Sequence, residues 1–77
     1  MDSYTHESGY NAAMARLDQE IETTRKLRNA RQRAEAAEKI GMLEAAREMI
    51  GEKTGTWLER EEHAKATILM LRDYYHW

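Results

Sequence analysis

Three histidines, at positions 6, 63 and 76, are the side chains best suited to metal binding or to proton transfer near neutral pH. Ligation from one helix needs two of them a turn apart, and no His-x-x-x-His spacing occurs. Glu59 and His63 do stand one turn apart and could form one edge of a metal site. Such a pair is commonplace on exposed helices, so His63 reads as a surface or interface histidine and no metal ligand is expected. Glu59, Glu61 and Glu62 cluster where a helix begins, and the helix dipole favours negative charge there without any catalytic role. Ser3 and Ser8 sit in a polar stretch, and there is no cysteine to supply a thiolate. Gly51-Glu52-Lys53-Thr54 lacks the leading glycine and the spacer of a phosphate-binding loop. These residues point to a protein that is not an enzyme and uses no cofactor.

Arg25, Lys26, Arg28, Arg31 and Arg33 form the densest charge run and could contact phosphates or an acidic protein. At 100° per residue they spread around most of a helix, and Asp18, Glu20, Glu22, Glu35 and Glu38 flank them, so solvated surface is the first reading. A nucleic-acid-binding helical dimer that uses this segment is the alternative. Glu22-x-x-Arg25, together with Lys65-Ala66-Thr67-Ile68-Leu69 and the later Tyr75, resembles helix-loop-helix proteins, which implies a DNA-binding dimer. The resemblance stops there, because Glu22 lies too far before Gly51 and Asp18 and Glu20 stand where that family carries basic residues. It covers under a quarter of the chain and is not adopted.

The elements that would position these residues are all helical. Ala, Glu, Arg, Leu and Lys supply 40 of the 77 residues, and there is no proline, cysteine, phenylalanine or valine. Basic and acidic residues nearly cancel, 12 against 14, for a net charge of −2, so neither wholesale disorder nor a global attraction to nucleic acid or anionic membrane is implied. No apolar run approaches the length that spans a bilayer, and MDSYTHESGY lacks a leader pattern, so a cytoplasmic protein without membrane contact is expected.

Residues 1–8 read as a polar tail, with Ser3 or Ser8 able to start a helix. From about residue 9 to 50 only Gly41 interrupts strong helix formers, which predicts one long helix of ~60 Å at 1.5 Å per residue. Residues 51–56 read as a loop, with Gly51 as the C-terminal cap and Thr56 and Glu59 in capping-box spacing. A second helix follows over about 57–75. The architecture expected is a single all-α domain, a helical hairpin that dimerises into a bundle or coiled coil. A monomeric three-helix bundle with a break near 29–32 is the alternative.

Tyr10, Met14, Leu17, Ile21 and Thr24 follow a 4-3-4-3 spacing, a narrow seam that asks for another helix and is the expected homodimer interface. Leu27, Ala30, Ala34, Ala37, Gly41 and Ala45 form a stripe of small residues where another helix could come close. Ile40, Leu43, Ala46 and Ile50, edged by Met42 and Met49, make a wider face for the second helix. That helix has two apolar sides. Trp57, Ala64, Ile68, Leu71 and Tyr75 form a core stripe interrupted by Glu61, while Ala66, Met70, Tyr74 and Trp77, with His63 at the start, form a second. Methionine and aromatic residues suit adaptable interfaces, so Met70, Tyr74, Trp77 and His63 are the expected contacts with a partner protein. The function expected is that of a small regulator, inhibitor or adaptor, the size of many accessory proteins including phage-encoded ones, acting by occlusion or scaffolding.

Overall fold

A computed structural model describes residues 4–26 and 30–76 and, for Ala30 and Arg31, the backbone alone. Its three helices are α1 (His6–Arg25), α2 (Ala30–Glu52) and α3 (Trp57–Tyr75). The helix expected over 9–50 is therefore two helices, as in the three-helix alternative, but residues 30–32 of the expected break already belong to α2. Leu27 and Asn29 lie outside the described residues.

The start of α1 is fixed by Thr5, whose hydroxyl accepts from the Ser8 backbone N–H at 3.0 Å while the Ser8 hydroxyl accepts from the Thr5 N–H at 3.1 Å. This reciprocal pair satisfies two N–H groups that a helix start leaves open. Ser8 thus lies inside the helix and is not its cap. At the other end the Lys26 N–H donates to the Thr23 carbonyl at 3.2 Å. Helix α2 runs through Gly51 and ends at Glu52, and the loop glycine in the left-handed region is Gly55, at φ 115°. Thr56 and Glu59 then build the capping box that their spacing predicted.

Pairing across the helices sets their directions. Tyr10 near the start of α1 meets Ile50 near the end of α2, and Glu20 late in α1 receives Lys39 early in α2 at 2.8 Å. Helix α2 thus runs back along α1, with Asp18–Arg47 and Arg25–Glu44 as further links. His6 meets Glu61 near the start of both α1 and α3, while Lys39 of early α2 lies over the Tyr75 ring of late α3. Helix α3 is therefore parallel to α1 and antiparallel to α2. Leu17, Leu43 and Ile50 are fully enclosed among Ile21, Ala46, Ala64, Ile68 and Leu71. Each large aliphatic side chain buried this way contributes about 1.5–3 kcal/mol.

Tyr10 joins the ends of all three helices. Its hydroxyl donates to the Ile50 carbonyl at 3.4 Å, and its ring lies 5.5 Å from that of Trp57. The Arg60 guanidinium sits over both rings, 4.1 Å from the Trp57 centre and 4.7 Å from that of Tyr10. The expected small-residue stripe does not pack. Ala34, Ala37, Gly41 and Ala45 are exposed, and nothing lies within 4 Å of where a Gly41 side chain would begin. The core face of α2 is the expected one at Leu43, Ala46 and Ile50, joined by Ala36, while Ile40 is only half-buried.

Candidate functional site

The second apolar side of α3 is on the surface. Met70 and Tyr74 keep 73% and 74% of their area accessible, and Met42 of α2, across from them, keeps 54%. A chain this small can cover only one face of each helix, so the apolar residues on the other face stay in water. With Leu71, Asp73 and Tyr75, these three side chains line an open hollow of about 310 Å³ between α2 and α3. Tyr74 and Tyr75 meet edge to face, their ring centres 4.8 Å apart. Burial pushes the Tyr75 phenol above its usual range, with Tyr74 and Glu38 adding to the effect, so this wall of the hollow is neutral. A hollow lined by two methionines, a leucine and two tyrosines beside one acid offers dispersion contact and little charge, which suits an apolar side chain from another protein.

His63 is half-buried and does not line this hollow; its Nδ1 is enclosed without a hydrogen-bond partner among the described residues. Trp77 lies outside the described residues. Met42 was read in the sequence only as the margin of a core face. Its place opposite Met70 follows from the antiparallel packing of α2 on α3, which no local pattern announces.

The seam residues are turned inward. Tyr10, Leu17, Ile21 and Thr24 are buried and Met14 packs against the same core, so α2 and α3 supply the covering that the seam called for. The Thr24 hydroxyl donates to the Glu20 carbonyl at 2.8 Å, which is how a polar residue fits there.

The basic segment is divided between the end of α1 and the start of α2. Arg25 is paired with Glu44, Lys26 closes the end of α1, and Arg33 is exposed on α2. Arg28 and the Arg31 side chain lie outside the described residues. Among the described residues no three His, Asp or Glu side chains gather as a metal site, and no helix is long and apolar enough to cross a membrane. Glu59 is engaged in capping, and the Thr56 N–H and hydroxyl hold its carboxyl below the usual carboxylate range.

Glu61 is the residue whose place the sequence concealed. It is 4% exposed, its Oε1 lies 2.9 Å from His6 Nδ1, and its Oε2 lies 3.3 Å from Lys65 Nζ without hydrogen-bond alignment. Gly9 makes room for it, since a side chain there would begin 1.5 Å from Oε2. The signal in the sequence was an acid in the middle of a core stripe. No family model, curated protein or solved structure matches this chain.

Proposed function

We propose that this chain is a non-enzymatic interaction module, a three-helix bundle that binds a partner protein through Met42, Met70 and Tyr74. As a regulator, inhibitor or adaptor it acts by occluding or scaffolding that partner. The observation that carries this reading is the exposure of Met70 and Tyr74 beside an apolar hollow, at residues that the core does not use. Exposed large apolar side chains gathered at one place mark interaction sites more often than isolated ones do. Unbranched methionine adapts to a partner's shape, and tyrosine contributes area at low entropic cost. Self-association through Tyr10, Met14, Leu17, Ile21 and Thr24 is not part of this reading, because those side chains serve the chain's own core.

The test is affinity capture with the wild-type chain and with a Met70→Ala/Tyr74→Ala double variant. A protein retained by the wild type is expected to bind the variant roughly thirtyfold more weakly, the effect of losing a hot spot of about 2 kcal/mol. The variant should melt at the wild-type temperature, since neither residue is in the core. Equal retention by both chains would refute the assignment.

A further inference from the structure

A second groove lies between α1 and α3, on a flank of α3 that shares no residue with the hollow described above. It encloses about 500 Å³. Gly9, Ala12 and Ala13 form its α1 side; Gly9 is buried beneath the Glu61 carboxylate and the Tyr4 hydroxyl, Ala13 is half-buried, and Ala12 is exposed. Leu69 forms part of the α3 side and keeps 64% of its area in water. Tyr4, Ile68, Arg16, Lys65 and Arg72 complete the lining, which includes no acidic residue, and Lys65 donates to the Tyr4 hydroxyl at 3.3 Å. Arg16 and Lys65 each pair with a carboxylate that is itself divided between two bases. Glu20 lies 3.3 Å from Arg16 and 2.8 Å from Lys39, while Glu61 lies 2.9 Å from His6 and 3.3 Å from Lys65.

We propose that this groove docks an amphipathic helix from another protein, with an apolar stripe flanked by aspartate or glutamate. Small residues along α1 let a fourth helix approach to the 8–10 Å separation typical of packed helices. The apolar stripe of that helix covers Leu69, and its flanking carboxylates meet the cations in charge-assisted hydrogen bonds. The aliphatic stems of Arg16, Lys65 and Arg72 lie along the margins of the stripe. Lys65 and Arg72 stand two turns apart on α3, ~10 Å, so the occupant needs about three turns to engage both. A phosphate backbone could pair with the cations but would leave the apolar lining in water, and for that reason an acidic helix fits better than nucleic acid. With the α2/α3 edge, this gives the molecule two docking surfaces on opposite sides of α3.

The test uses the intact chain and a fluorescent stapled helix of about 15 residues, with leucines at i, i+3, i+4 and i+7 flanked by glutamates. A second peptide carries lysine in place of each glutamate. By fluorescence anisotropy the glutamate peptide is expected to bind at least about tenfold more tightly, and added salt should narrow that difference. Ala12→Glu and Leu69→Asp, both at exposed positions, should each weaken it about tenfold or more, and Met70→Ala/Tyr74→Ala should leave it unchanged. A melting curve for each variant confirms the fold, and either groove substitution suffices if the other fails to fold. Equal affinity for the two peptides, or loss only in the Met70/Tyr74 variant, would overturn the proposal. So would light scattering that shows a dimer dissociated by Ala12→Glu, which would assign the groove to a second copy. Binding to phosphatidylserine vesicles that Ala12→Glu abolishes, with no peptide binding, would assign it to a lipid surface.

Discussion

Glu61 and Gly9 can only be understood as a pair. A carboxylate that loses nearly all its water needs compensation, and Glu61 finds it in His6 and Lys65, but only because position 9 has no side chain to occupy the same space. A glycine within a helix costs about 1 kcal/mol relative to alanine, so Gly9 is a concession of local stability to a tertiary contact. Gly9→Ala should therefore be neutral or destabilising in the wild-type chain, where the new methyl displaces the carboxylate. In a Glu61→Ala background the same substitution should stabilise by about 1 kcal/mol. Urea denaturation of the four chains in this cycle measures the coupling, and an equal effect of Gly9→Ala in both backgrounds would sever the link. The sequence showed only that Glu61 interrupts a core stripe, and neither its partners nor the role of Gly9 was legible. Glu61 looked like an ordinary acid of a first helical turn, because its partner His6 stands 55 positions away in the chain.

Among the elements, α3 was legible directly and the α1/α2 division only as the alternative to one long helix. The Thr56/Glu59 pair marks the start of α3 and its core stripe extends to Tyr75, so local signals suffice. Between α1 and α2 there is neither glycine nor proline, and intrinsic propensity favours continuity by only a few tenths of a kcal/mol per residue. Folding back buries Leu17 and Ile21 against Leu43 and Ile50, at about 1.5–3 kcal/mol for each side chain, and this burial outweighs the local preference. Glu20 helps to hold the two helices in place. Partial burial pushes its carboxyl up, but hydrogen bonds and charge from Lys39 and Arg16 outweigh this and hold it below its ordinary value of 4.5. Its folded value being the lower one, its contribution is complete above about pH 4.5 and disappears as the pH falls through that folded value. Glu20→Gln should therefore lower the melting temperature near pH 7, and the difference from wild type should shrink as the solution is acidified toward about pH 3. A constant difference across that range would show that the ion pair carries none of the stability.

For the whole molecule, one chain closes a core that its scarcity of leucine and isoleucine seemed to make too small. Only 10 of the 77 residues are Leu or Ile, which suggested a core shared between two chains. Alanines at 46 and 64, the ring of Tyr10 and the paired Glu61 fill the remaining space, so the bundle needs no second copy to cover Leu17. Its melting temperature is accordingly expected to be independent of protein concentration, and Leu17→Ala to cost about 2–5 kcal/mol at every concentration. A melting temperature that rises with concentration would restore the seam to a role between chains. The amino-acid sequence by itself determined the all-helical class, the limits of α3 and the surplus of apolar residues on that helix, because propensity, capping and periodicity act within a few residues. Tertiary structure alone decided that the stretch read as one long helix over 9–50 folds into two, that Glu61 is buried, and that Met42 faces Met70 while Leu69 lies beside three cations. Those outcomes rest on contacts between residues far apart in the chain, where burial of apolar surface outweighs the small differences in local preference.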